Sequence, residues 1–418
     1  MHNTISLRGN QQFMEDVPLT TIAEQFGTPC YAYSKQAISD NFLTYQTALS
    51  SRDHLICYAV KANSNIAILQ LLASLGAGFD IVSRGELERV LMAGGSPEKI
   101  VYSGVAKTAD DMRRALEVGI HCFNVESESE LALLNKTAAE ENKIAPVSLR
   151  VNPDVDAKTH PYISTGLKEN KFGIEINRAL EVYKQAAQMA HISVVGVDCH
   201  IGSQLTDISP FIEAMQHLLV LIDELNDCGI ELQHIDIGGG LGVCYQDEVV
   251  PSLDTYMASL LPLLQDRHHT LIMEPGRSIV ANAGVLLTQV QVIKANGDKC
   301  FAIVDAAMND MLRPALYNAW MAIGPTNKRS DINTASYDVV GPVCETGDFL
   351  GKDRTLAITE GDYLFVSSAG AYGFTMSSNY NSRPKVAEVM VDGDQLYLIR
   401  SRETIADLVR GEQLIAEL

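Results

Sequence analysis

Several things are scarce or missing in this chain, and each removes a class of function. Basic residues are few: 32 Lys+Arg stand against 52 Asp+Glu, a formal charge of −20. Nucleic-acid binding needs a basic footprint, so no nucleic-acid partner is expected and an anionic ligand must be held by local donors. No run of about 18 apolar residues occurs, and Met1 to Asn10 hold no apolar signal core. A cytoplasmic location with no membrane partner is therefore expected. The cysteines Cys30, Cys57, Cys122, Cys199, Cys228, Cys244, Cys300 and Cys344 form no CxxC pair and no Cys/His cluster at zinc-ligand spacing, which reads as reduced thiols, mostly in the core, and no metal. Solenoid repeats and low-complexity tracts are missing too.

What is present is a globular composition, 46% apolar and 20% charged over 418 residues. That length suits a barrel of roughly 250 residues plus a second module. Residues 1–33 form a lead-in with a short helix, Leu19 to Phe26, ended by Gly27, and a strand-like Pro29 to Tyr33 that is expected to join the second module. Short apolar strands then alternate with helical patterns: Leu55 to Val60, Gly78 to Val82, Ile100 to Tyr102, His121 to Val125, Val147 to Val151, Val194 to Cys199, His234 to Ile237, and Leu271 to Met273. The helices follow from apolar spacing such as Ile66, Leu69, Leu72, Leu75. Eight such units over residues 34–280 predict a TIM (β/α)8 barrel, with a doubly wound open sheet as the alternative. Residues 281–418 read as an all-β domain, sandwich or barrel-like, with a hairpin at Asp392-Gly393. Within it Asn318 to Asp331 and Cys344 to Thr355 read as loops.

A TIM barrel keeps its chemistry at the C-terminal strand ends, and there the sequence places Lys61, Asp80, Ser103, Glu126, Arg150, His200, the glycines after Ile237, and Glu274. Lys61 ends an apolar run and precedes Asn63-Ser64-Asn65; an amine so placed suits a Schiff base or a phosphate contact, or simply reaches solvent. Gly238-Gly239-Gly240-Leu241-Gly242 lets backbone amides approach an anion, with a helix ahead to add its dipole, or serves tight packing alone. Glu274-Pro275-Gly276-Arg277 offers an acid for a metal, a base or a ring nitrogen, and a guanidinium fork for an anion; a structural pair is the alternative. His200 can stack, shuttle protons or be structural, and Ser203 can donate to phosphate. Cys344 and Glu345, within Gly341 to Asp348, put a thiol beside a carboxylate on a loop where reactive cysteines occur, though a passive cysteine is the commoner case. Lysine, glycine loop, acid, histidine and thiol together fit one cofactor, pyridoxal 5'-phosphate.

The stretches Tyr58 to Asn63, His200 to Ser203, Gly238 to Gly240, Glu274 to Arg277 and Gly341 to Glu345 resemble, in order, the signature of the alanine-racemase-like, fold-type III pyridoxal phosphate decarboxylases. Cys344-Glu345, in place of Cys-Asp, is similar to the branch acting on meso-2,6-diaminopimelate, at the last step of lysine biosynthesis. The resemblance implies that Lys61 forms the Schiff base, Glu274 keeps the ring nitrogen protonated and His200 stacks on the ring. It assigns the phosphate to Ser203, Gly240, Gly276, Arg277 and Tyr372, with Pro275 lining the cofactor. It gives the distal carboxylate of the substrate to Arg277, Arg313 and Tyr317, beside Tyr372, and the distal ammonium to Glu345. Cys344 would return a proton after decarboxylation. Cys344 and Glu345 would come from the partner of a homodimer. Open alternatives are a sister decarboxylase of carboxynorspermidine, ornithine or arginine, a non-catalytic regulatory relative, and a metal-dependent barrel hydrolase or aldolase.

Overall fold

The structure is a computed structural model that describes residues 4–156 and 170–416. Two units are distinguished, one of Ser39–Cys244 and Glu248–Ile279, the other of Met1–Ile38, Tyr245–Asp247 and Val280–Leu418.

In the first unit the strands His54–Ala59, Gly78–Ile81, Ile100–Tyr102, Cys122–Val125, Ala145–Asn152, Ile192–Asp198, His234–Asp236 and Thr270–Met273 pair in parallel in chain order. The eighth then pairs back onto the first, Met273 beside Ile56, so the sheet is a closed barrel and has no open edge. A short strand missed in the sequence, Ile174–Glu175, adds to the fifth. Each strand is short and buried over most of its length because helices cover the outer face.

The helices begin where a polar side chain can cap them after a strand. Asn65, Ser83, Thr108, Ser127 and Ser252 each accept a backbone N–H of the first turn that follows. In Ile66–Ser74 the buried side is Ile68, Leu69 and Leu72, while Ile66 is 46% exposed. Spacing alone had put Ile66 on the buried stripe; as the first helical residue after the Asn65 cap it projects outward instead.

The second unit is built on a long strand, Gly284–Asn296. Its first half pairs with Cys30–Ser34 and with Tyr363–Val366, its second half with Lys299–Val304. Cys30–Ser34 also pairs in parallel with Ala387–Asp392, which returns through Gly393, at φ +60°, into Gln395–Arg400. The expected loop at Cys344 to Thr355 is corrected here: Phe349–Leu356 is a strand against Ala335–Val340. Its Lys352, Asp353 and Arg354 lie at the outer edge of the sheet, where charge protects an unpaired strand and hides its apolar pattern. Ile323–Pro325, within the other expected loop, is also paired. A three-stranded sheet of Ile5–Arg8, Gln11–Met14 and Val17–Pro18 precedes the helix Leu19–Phe26. Among the described residues no helix is long and apolar enough to cross a membrane.

Candidate active site

Lys61 sits in a single helical turn, Val60–Ala62, directly after the first barrel strand. The turn is fixed on its far side: the Tyr58 hydroxyl donates to the Asn63 carbonyl at 3.1 Å, and the Asn63 side chain accepts the Asn65 N–H at 3.1 Å. The Lys61 ammonium donates to Asp80 Oδ2, whose carboxylate on the second strand is fully buried. The Lys61 ammonium is therefore paired, although its side chain stays partly exposed. On the near side the Ala59 N–H donates to the Pro275 carbonyl at 3.1 Å, so Lys61 and the segment after the eighth strand are stitched together.

Glu274 is buried and its backbone N–H donates to Gly238 at 2.7 Å. Its Oε1 accepts from Asn124 Nδ2 at 3.3 Å and Ser103 Oγ at 3.4 Å. One oxygen each of Glu274, Asp198 and Asp236 lie within 4.8 Å of one another. Burial first, then mutual repulsion, holds the Glu274 and Asp198 carboxyls well above the usual carboxylate range; burial likewise raises Asp236 to about 7. Asp198 Oδ1 and Asp236 Oδ2 meet no hydrogen-bond partner among the described residues. The group therefore retains protons rather than three full charges, and Glu274 can present a protonated carboxyl.

His200 follows the sixth strand, and its Nδ1 accepts the Gly239 N–H at 3.3 Å. Burial, then the positive charges of Arg150 and Lys61, hold the imidazole well below its usual pKa, so the ring is neutral. A side chain at Gly238, which has φ +65°, would strike that ring, with Cβ 2.6 Å from His200 Nδ1. One at Gly240, φ +107°, would lie 2.6 Å from the Gly202 carbonyl. The glycine loop is thus set partly by close packing, and the helix expected ahead of it starts only at Leu253, too far on to direct its dipole there. Arg277 is buried and donates to Ser203 Oγ through Nε at 3.3 Å and Nη2 at 3.0 Å.

Beside these, the Arg150 guanidinium meets Glu126 Oε1 at 3.1 Å, and the buried Lys107 ammonium meets Glu130 Oε1 at 2.7 Å. Sequence reading named Asp80, Glu126 and Arg150 as strand ends but missed Asp198, Asp236, Asn124 and Lys107. A signal existed at Ile235-Asp236-Ile237, where a carboxylate interrupts an apolar strand too short to turn it outward.

In the second unit Arg313 is buried, with its guanidinium 4.3 Å from the Tyr245 ring centroid. Tyr317 ends the same short helix, Arg313–Tyr317. Tyr372 takes a left-handed backbone at φ +56°. Cys344 and Glu345 are exposed; the Cys344 N–H donates to Asn381 Oδ1 at 3.0 Å, and Glu345 accepts from the Tyr380 hydroxyl at 2.9 Å.

Comparison with known proteins gives the family. Residues 35–281 match the family described as pyridoxal-dependent decarboxylase, pyridoxal binding domain. A diaminopimelate decarboxylase from Pseudomonas aeruginosa is 60% identical, covering 99% of this chain and 100% of its own. This chain belongs to the diaminopimelate decarboxylase family. Among solved structures, the family's enzyme from Helicobacter pylori, complexed with L-lysine, superposes with a TM-score of 0.91 at 46% identity, covering 94% of this chain and 98% of that one. The M. jannaschii enzyme, also with L-lysine, gives 0.94 at 39% identity over 99% and 98%.

The donor set fits the cofactor of that family. Lys61 supplies an amine beside a carboxylate, Glu274 a proton-bearing carboxyl, and His200 a flat neutral ring. Ser203 and Arg277 supply donors for a phosphate, next to a loop where Gly240 admits no side chain.

Proposed function

We propose that this chain is a pyridoxal-phosphate-dependent carboxy-lyase that converts meso-2,6-diaminopimelate to L-lysine and carbon dioxide. The observation that carries the reading is the Lys61 ammonium held on the buried Asp80 at the end of the first barrel strand, where the Ala59 backbone ties that strand to Pro275, in a chain so similar over its length to diaminopimelate decarboxylases. When bound, the cofactor supplies an electron sink for the pair left on the α-carbon as carbon dioxide departs.

The chain's own residues do the rest. Lys61 Nζ offers the nucleophile for the cofactor aldehyde, and Asp80 orients it. Glu274 holds a proton at the ring nitrogen; its buried, raised carboxyl suits that task. His200, kept neutral and aimed by the Gly239 N–H, would lie against the cofactor ring without adding charge. Ser203, Gly240, Gly276 and Arg277, beside Pro275, are assigned to the phosphate, and so is Tyr372. Arg277, Arg313, Tyr317 and Tyr372 are assigned to the distal end of the substrate and its carboxylate, and Glu345 to the distal ammonium. A cationic fork favours a substrate with a second carboxylate over a plain diamine precursor. Cys344 moves a proton to the carbon that lost carbon dioxide, a general-acid step typically contributing about 10²–10⁴-fold.

The proposal includes a cytoplasmic location and a homodimer in which Cys344 and Glu345 serve the second copy's site. Their exposure on this chain supports that role. It also divides the chain into a cofactor-binding barrel, 34–280, and a β domain, 281–418, to which the lead-in 1–33 belongs. The deciding assay measures carbon dioxide release from meso-diaminopimelate, ornithine, arginine and carboxynorspermidine, with and without added cofactor. Selective, cofactor-dependent turnover of meso-diaminopimelate with L-lysine as product is expected. Equal or faster release from any of the other three substrates would overturn the substrate assignment.

A further inference from the structure

The opposite, N-terminal end of the barrel holds a group that the decarboxylation does not use. Cys122 opens the fourth strand and His234 the seventh, and His121 immediately precedes Cys122. His234 lies 112 positions from Cys122 in the chain, yet its Nε2 is 3.9 Å from Cys122 Sγ. The rings of His121 and His234 have centroids 5.2 Å apart and are tilted by 42°. A donor atom from each of the three falls within 4.8 Å of the others.

Two features go beyond proximity. His121 Nε2 is buried and meets no hydrogen-bond partner among the described residues. Its ring does bond the Glu98 backbone, in the sense that favours a proton on the ring, so that bond is made by Nδ1–H to the carbonyl. Nε2 is then the bare, lone-pair nitrogen. An imidazole with one nitrogen tied to a carbonyl and the other bare is the arrangement a metal ligand needs. Secondly, the neighbouring sixth strand makes room for the other imidazole: a side chain at Gly196 would place Cβ 2.0 Å from His234 Nε2.

We propose that His121 Nε2, Cys122 Sγ and His234 Nε2 form a site for a divalent ion of the zinc class. Two imidazoles and a thiol, with no carboxylate among them, select a borderline-soft ion over magnesium or calcium. Zinc bonds of about 2.0–2.3 Å require the donors to close in by roughly 1 Å. As the sulfur–metal bond forms the thiol proton leaves to water, and a water completes the tetrahedron. Cys57 packs in the same apolar layer, but its Sγ is not among the grouped donor atoms; the Cys122 thiol donates to Asn124 Oδ1 at 3.6 Å, a bond that ends when the thiol proton leaves.

The test is titration of the cofactor-loaded enzyme with Zn²⁺ alone, followed by calorimetry, metal analysis and thermal unfolding. One ion per chain and a raised Tm are expected. His121→Gln, a change at a half-buried position, is expected to weaken binding at least ten-fold while cofactor absorbance is retained, and Cys122→Ser and His234→Gln to do the same. Cys228→Ser with Cys244→Ser, which removes exposed thiols elsewhere, should leave binding unchanged. Absence of stoichiometric binding, or undiminished binding by a folded His121→Gln enzyme, overturns the proposal. So does uptake that is lost only in the Cys228/Cys244 double variant.

Discussion

The two ends of the barrel are made from the same strands yet have opposite chemistry. The seventh strand, His234–Asp236, has both: a histidine at its start, and at its end a carboxyl that is followed by the glycine loop. Burial drives both toward neutrality, the imidazole down to about 3 and the carboxyl up to about 7. At the upper end carboxyls accumulate around Lys61 and Arg150, so protons are retained beside cations and charge can be moved. At the lower end two imidazoles and a thiol lie together with no cation paired to them at hydrogen-bond distance among the described residues, and the carboxyls of Asp236, Asp198 and Glu274 reach Cys122 only through space, holding its thiol up after burial has raised it. The lesson is that burial alone makes no active site. What differs is whether titratable groups of opposite sign share the burial.

The comparison breaks most sharply at Lys61. Lys61→Ala should abolish both turnover and the visible absorbance of bound cofactor, while chelators have no effect on turnover. Retained absorbance together with normal turnover would remove the upper end from the chemistry. Mixing this variant with Cys344→Ala should give activity well above that of either parent if sites are shared in a dimer; mixtures no more active than the Cys344→Ala parent argue against it.

Next in size is Glu274→Gln, which keeps volume but cannot hold the proton. A loss in kcat of about 10²–10⁴-fold is expected, with the fold retained by circular dichroism; a loss under ten-fold would assign the ring-nitrogen proton elsewhere. Cys344→Ala should slow turnover over the same range while leaving the cofactor spectrum unchanged.

A paired glycine experiment then separates packing from chemistry. Gly238→Ala and Gly196→Ala each drive a Cβ into an imidazole, of His200 and His234 respectively. Both should cost about 1–3 kcal/mol by overpacking, read by urea denaturation, but only the Gly238 variant should also lose kcat.

The smallest effect concerns pH. Burial lifts the Glu86 carboxyl, near Lys61, from 4.5 to about 7. The unfolded chain releases that proton near 4.5 and the folded chain holds it to about 7, so rising pH across this window favours unfolding. At the lower end burial depresses His269 from 6.5. There the unfolded chain takes up a proton first, so pH falling through 6.5 favours unfolding. Glu86→Gln should therefore remove a loss of stability on the alkaline side, and His269→Gln one on the acid side. Identical pH profiles for both variants would contradict opposed ends.

Much of this was legible in the residues. Strand alternation and apolar spacing are local, so all eight barrel strands, the helix before Gly27 and the Asp392-Gly393 hairpin were found within a residue or two of their observed bounds. The strand Phe349–Leu356 was not, because edge charge erased its alternation. Lys61, His200, Glu274 and Cys344 stand in short motifs and could be named; Asp198, Asp236 and Lys107 stand in none.

By itself the sequence determined which positions would be strand ends, and so which polar groups would gather at the barrel mouth. A parallel barrel with right-handed crossovers leaves them no other face. Only the tertiary structure decided how those groups titrate and what sits at the other end. Closing eight strands brings Asp198, Asp236 and Glu274 within reach of one another, and carries Cys122 to His234 across the barrel. Proton sharing and metal-type donor sets depend on distances of a few ångströms and on the exclusion of water. Neither can be read from positions tens of residues apart until the eighth strand meets the first.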